Sequence, residues 1–244
     1  VHNLYDGFQM LHDAVSLYEP LCDFYRANVN EQYDQGSVPG MTTEPALSAE
    51  LLAGASAYTD TAVIVLSRFS GEGWDRSSIE YNGEYNPWET ETSMPKISGE
   101  IFPDGDFYLT KEESAMIAQV KQHFSRIAVV LNIGGIIDTS WIKNDDQISS
   151  ALIAWQGGME GGFAAADVLY GKVNPSGRLT DTIARRYEDY PSSAHFGGKA
   201  FNAYAEDIYV GYRYYEKKGI QPAYPFGYGL SYTSFEYEHL AVSE

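Results

Sequence analysis

Cysteine is almost absent from this chain of 244 residues, where Cys22 stands alone. An intrachain disulfide and a cysteine metal cluster are thereby excluded. Histidine is scarce too: the five are His2, His12, His123, His195 and His239, and no two have the spacing of metal ligands. Basic residues are few, 16 against 34 acidic, for a net charge of -18. A surface of that sign repels phosphate backbones and anionic headgroups, which argues against nucleic-acid and membrane partners. No apolar run approaches the roughly 18 residues that span a bilayer. Residues 1–6 lack a basic region followed by an apolar stretch and do not read as a signal peptide, so the compartment stays open between cytoplasmic and secreted. A Gly-Lys-Ser/Thr phosphate loop is missing, and neither Gly134-Gly135 nor the glycines of 157–162 follow the dinucleotide fingerprint. A Gly-X-Ser-X-Gly nucleophile elbow is missing as well.

What is present suffices for a full core. Apolar residues make up 44% and aromatic residues 14%, which excludes a disordered chain. The length suits one large or two small domains. Between residues 4 and 29, Leu4, Phe8, Leu11, Leu21, Phe24 and Tyr25 recur at helical intervals, and Pro20 reads as a break between two short helices. Thr43-Glu44-Pro45 opens a third helix over 46–57. Ala62-Val63-Ile64-Val65-Leu66 reads as a strand buried on both faces. Thr110 with Glu113 is a capping signature for a helix running to about residue 124. Two further apolar runs, 127–132 and 151–155, read as strands, and residues 161–170 as a helix closed by Gly171. Strands alternating with helices at these lengths predict right-handed crossovers and a mainly parallel sheet covered on both faces. Residues 208–215 look like a further strand by their aromatic and β-branched content, and the many tyrosines of the last forty residues read chiefly as packing.

The candidate chemistry sits where the first strand ends. Ser70-Gly71-Glu72-Gly73-Trp74-Asp75-Arg76 places a carboxylate between two glycines, whose freedom lets another surface come close. Open α/β sheets bind ligands at the carboxyl ends of their strands. Glu72 reads either as a catalytic acid or as a solvated loop residue. The stretch from Gly71 to Leu109 shows no clear periodicity and holds Trp74, Tyr81, Tyr85 and Trp88. These aromatics suit either stacking on sugar rings, with Trp88 the best candidate, or pinning the loop to the body.

Taken in order, 70–76, Ala154-Trp155-Gln156-Gly157-Gly158-Met159-Glu160-Gly161-Gly162, Ala166-Asp167-Val168-Leu169-Tyr170-Gly171, Asn174-Pro175-Ser176-Gly177-Arg178-Leu179, Val210-Gly211-Tyr212-Arg213-Tyr214-Tyr215 and Pro225-Phe226-Gly227-Tyr228-Gly229-Leu230-Ser231-Tyr232-Thr233 resemble the second domain of glycoside hydrolase family three, nearest to its β-glucosidases. The resemblance covers nearly the whole chain. It implies a three-layer α/β/α sandwich with a mainly parallel sheet of about six strands and a Tyr/Gly/Pro-rich tail. It also implies that the usual first strand lies before Val1, and that residues 200–244 lead toward a fibronectin-like domain.

For function, the resemblance implies a retaining hydrolase of β-glucosides or cello-oligosaccharides that needs no cofactor and no metal. Glu72 matches the general acid/base. Ser70, Trp74 and Trp88 would contact substrate, and Gly71, Gly73, Asp75 and Arg76 would support the loop. Asp75 paired with Arg76 can hold the loop through charge-assisted hydrogen bonds. The glycines after Trp155 read as sites of tight helix–strand approach. The family's aspartate nucleophile lies in a Ser-Asp-Trp motif on a TIM-like barrel, and this chain contains no such motif. The chain alone is therefore expected to turn over negligibly. The rival expectation is a non-catalytic sugar-binding or interface module of the same fold; the oligomeric state is left open.

Overall fold

In the computed structural model, residues 1–37, 40–69, 94–195 and 203–242 are described. Chain order is α1 (Leu4–Met10), α2 (Glu19–Asp34), α3 (Ala49–Tyr58), β1 (Thr61–Arg68), α4 (Met94–Ile101), α5 (Lys111–His123), β2 (Arg126–Ile133), α6 (Ser140–Lys143), β3 (Ile148–Ile153), α7 (Gly161–Tyr170) and α8 (Tyr212–Lys218). A 3-10 turn spans Tyr187–Asp189.

The described residues form one parallel sheet of order β1-β2-β3. β1 pairs β2 from Thr61↔Arg126 to Arg68↔Ile133. β2 pairs β3 from Ile127↔Ile148 to Leu131↔Ile153, with a register shift after Ile127. On one face Ile64, Leu66, Val129, Leu131 and Ile133 meet Leu52 and Ala55 of α3 and Met116, Ile117 and Val120 of α5. Ile127, Val129 and Leu131 of the central strand are fully buried, the placement expected of a parallel strand flanked on both sides.

Local chemistry explains the helix starts. Thr110 and Glu113 form the expected capping box at α5. Asn3 and Asp6 form another at α1, and Ser48 caps α3 by accepting from the Leu51 amide. α7 ends at Gly171 with φ 85°, a left-handed closure suited to glycine.

Several expectations need correction. Three strands are described, not about six. β1 is buried on one face only: Val63 and Val65, on the face opposite Ile64 and Leu66, are 39% and 44% exposed. That face borders a cleft of ≈ 1770 Å³ whose other walls include α1, α7 and the tail around residue 230. Pro20 does not break a helix but sits in the first turn of α2, where its missing N–H has no partner to lose. The third helix starts at Ala49, not 46, because Ser48 caps it. α4 interrupts the stretch expected to lack regular structure. β3 ends at Ile153, and Trp155 has a left-handed φ of 53°, which takes it out of the ladder.

Residues 208–215 do not form a strand. Gly211 turns the chain at φ 54°, and α8 runs from Tyr212 to a left-handed Gly219 with Lys217 and Lys218 in its last turn, favourable to the helix dipole. The tyrosine-rich end is mixed: Tyr215 is buried, whereas Tyr204, Tyr232 and Tyr237 are exposed.

Two of the family-like motifs have structural work. Asn174 Oδ1 accepts from the Tyr232 amide (2.8 Å) and the Ser231 hydroxyl (3.0 Å). Leu179 and Ile183 exchange backbone hydrogen bonds with 223–228, and Tyr232 OH donates to Val168 O. These bonds tie the tail back to the body.

Candidate functional site at the carboxyl edge of the sheet

The parallel strands all point their carboxyl ends to one edge. There Arg68 O accepts from Gly134 N (2.9 Å) and Leu131 O from Ala154 N (2.9 Å). Asn132 Nδ2 donates to Ser67 Oγ at 3.4 Å, which levels the ends of β1 and β2.

Arg68 closes β1. It follows Ile64 and Leu66 in the inward register and is only 3% exposed. Its guanidinium lies over the Phe102 ring at 4.5 Å. Nη1 donates to Glu113 Oε1 and Nη2 to Glu113 Oε2, both at 2.7 Å. Nε donates to Asp106 O (3.0 Å), Nη1 also to Ser67 O (2.9 Å), and Nη2 also to Tyr108 O (3.2 Å). All five guanidinium N–H groups are thus engaged, the arrangement a planar fork satisfies and an ammonium does not. Glu113 Oε2 additionally accepts from the Thr110 amide at 2.8 Å.

Around this pair lies a second layer of acids and aromatics. Tyr25 OH donates to Glu44 Oε1 at 2.5 Å. Burial, reinforced by Glu113 and opposed by the Tyr25 hydrogen bond, pushes the Glu44 carboxyl above its ordinary range. Phe107 stacks edge-on against Tyr108, Tyr187 and Tyr190. Burial pushes the Tyr190 phenol up to about 12, and its oxygen accepts from the Ala184 amide at 3.1 Å. Asp138, in the loop after β2, is occupied by the Ser140 amide (2.9 Å) and hydroxyl (2.8 Å). Among the described residues no cluster of three His, Cys, Asp or Glu could hold a metal ion.

The sequence-derived site residues Ser70, Gly71, Glu72, Gly73, Trp74, Asp75, Arg76 and Trp88 lie outside the described residues. The described chain on either side of them ends at Phe69, just past β1, and resumes at Met94, the start of α4. Sequence reasoning missed Arg68 and Glu44. Arg68 had a readable signal, a charged residue in the inward register of an otherwise apolar strand. The glycines after Trp155 act differently from expectation. Gly162 serves helix–helix approach rather than helix–strand, since a Cβ there would overlap the Asn3 carbonyl at the start of α1.

In open α/β sheets generally, ligands bind outside the carboxyl ends of the strands, the edge at which β1, β2 and β3 all end here. Residues 21–232 match the glycosyl hydrolase family 3 C-terminal domain, and the chain belongs to that family. It is 51% identical over 241 residues to beta-glucosidase A of Butyrivibrio fibrisolvens, covering 96% of this chain and 29% of that protein. Over 246 residues it is 35% identical to a beta-glucosidase of Ruminococcus albus, covering 97% of this chain and 23% of that one. Beta-glucosidase 3B from Thermotoga neapolitana, solved in complex with glycerol, is 35% identical with a TM-score of 0.78, covering 98% of this chain and 31% of that chain. A beta-glucosidase from Paenibacillus barengoltzii gives a TM-score of 0.78 at 36% identity, covering 96% of this chain and 24% of that one. The chain spans less than a third of the length of each.

Proposed function

We propose that this chain carries the general acid/base half of a retaining β-glucosidase site that hydrolyses terminal β-D-glucosyl residues. The observation that carries the reading is the match itself. Nearly the whole chain aligns with beta-glucosidases, yet it spans under a third of their length. Glu72 is the acid/base; Ser70, Trp74 and Trp88 contact the sugar; Gly71, Gly73, Asp75 and Arg76 support the loop. The nucleophile is an aspartate on a TIM-like barrel outside these residues.

Retaining hydrolysis needs two carboxyl groups about 5–5.5 Å apart. One attacks the anomeric carbon and expels the leaving group, to which the other donates its proton. The second then takes a proton from the water that releases the sugar. Glu72 must hold its proton near neutral pH, and docking against the barrel would achieve this by desolvation and by the neighbouring nucleophile's charge. Alone, the chain supplies one carboxylate of two and is inactive.

In the intact enzyme, Glu72→Ala should cripple cellobiose hydrolysis by about 10²–10⁴-fold. Dinitrophenyl β-glucoside, whose leaving group needs little protonation, should lose much less in the first step. Added azide should restore turnover by replacing the activated water. Equal losses of kcat/KM, which reports the first step alone, on both substrates would remove Glu72 from the role.

A further inference from the structure

We propose that the groove between α5 and α6 is a binding site for a neutral pyranose such as glucose. The inference does not depend on the acid/base assignment above. The groove has a volume of ≈ 370 Å³, at the lower end of the range for small-ligand sites. Ser114, Ile117 and Lys121 line it from one face of α5, and Trp141, Asn144 and Asp145 from α6 and the residues just after it.

The apolar wall is an indole held in one orientation. Trp141 is half-buried against the core, and its Nε1 donates to Asp138 O at 3.0 Å. Asp138 is itself fixed by the Ser140 amide and hydroxyl. The polar groups are tied together as firmly. Lys121 Nζ donates to Asp145 Oδ2, and Asp145 Oδ1 accepts from the Gln147 amide at 3.0 Å. The Gln147 side chain in turn donates to Lys121 O at 3.2 Å. The Lys121 hydrogen bond holds the Asp145 carboxyl below its ordinary range, so both partners stay charged at neutral pH. Ser114 Oγ donates to Thr110 O at 2.8 Å and keeps its lone pairs. The Asn144 side chain makes no hydrogen bond among the described residues and offers both a donor and an acceptor.

This inventory selects the ligand. Each sugar hydroxyl both donates and accepts, and the C–H face of the ring suits an aromatic wall, so donors and acceptors set around an indole match it. An anion would find the Lys121 ammonium already paired with a carboxylate. A metal ion would find too few ligands, since no cluster of three His, Cys, Asp or Glu exists among the described residues. Because the lining groups are bonded to their neighbours beforehand, little entropy is lost in ordering them around a ligand.

The test is fluorine NMR on the intact enzyme labelled with fluorotryptophan and titrated with glucose. The Trp141 line is identified by its loss in Trp141→Phe. It should shift and saturate, with half-saturation at about 1–10 mM, the affinity of a single ring in an open groove. Asn144→Ala removes an exposed amide and should raise half-saturation about three- to ten-fold. Ala118→Gln fills the groove from an exposed position of α5 and should abolish the shift. Sorbitol, which has the hydroxyls but no ring, should leave the line in place.

A Trp141 line that stays put in glucose, or that moves as much in the two variants or in sorbitol, would overturn the inference. So would a shift driven by inorganic phosphate in place of glucose. The readout is one indole in the groove rather than turnover, so the result stands or falls separately from the role of Glu72.

Discussion

Gly7 of α1 and Gly162 of α7 meet backbone to backbone. A Cβ on Gly7 would overlap the Gly162 carbonyl, and one on Gly162 would overlap the Asn3 carbonyl. The Gly162 amide donates to His2 O and the His2 amide to Met159 O, and the His2 and Phe163 rings stack at 4.3 Å. A helix as short as α1 has little stability of its own, so this contact holds it.

Gly162→Ala should therefore destabilise the protein by about 1–3 kcal/mol, the usual penalty of overpacking. Gly158→Ala is the control, because nothing lies within 4 Å of a Cβ built there. Denaturant midpoints of the two variants measure the difference. Equal midpoints would show that α1 shifts away from α7 at little cost.

Glu44 predicts a pH dependence. Its carboxyl is raised above 4.5 in the folded state, so the folded chain holds this proton more tightly than the unfolded one. The group's contribution to stability therefore declines as pH rises from 4.5 to the folded value, and stays low above it. Glu44→Gln keeps an acceptor for Tyr25 and removes the buried charge. Its unfolding temperature should exceed the parent's at neutral pH, and the gap should close below about pH 4.5. A variant less stable than the parent at neutral pH would mean that the charge-assisted bond from Tyr25 outweighs the burial.

Trp88→Ala in the intact enzyme should raise KM several-fold and leave kcat nearly unchanged if the indole serves a subsite for the leaving group. Steady-state kinetics on cellobiose read this directly. Unaltered kinetics would return Trp88 to loop packing.

The sheet was legible because it depends on runs of apolar residues. Ile127, Val129 and Leu131 sit in a central strand whose burial leaves little choice of residue. The α5 start was legible because Thr110 and Glu113 carry a mechanism at a fixed spacing. The α8 segment was misread because aromatic and β-branched content reports fit to a half-buried surface rather than backbone preference. Gly211 and Gly219, which bracket that segment, were the better guide. The one-sided burial of β1 was hidden for a related reason: Val63 and Val65 are as apolar as Ile64 and Leu66, and only what the fold packs against each face of the strand separates their surroundings. The candidate acid came from motif likeness, whereas the buried Arg68–Glu113 pair spans 45 residues of sequence and is joined only by the fold.

Glu113 holds two unrelated obligations in one carboxylate: it closes the first turn of α5 through the Thr110 amide and neutralises the arginine at the end of β1. Neither position is free to drift alone. A lineage that lost the acid would strand a cation in the interior and fray a helix in one step, so replacement here requires a paired event, Arg68 and Glu113 exchanged together.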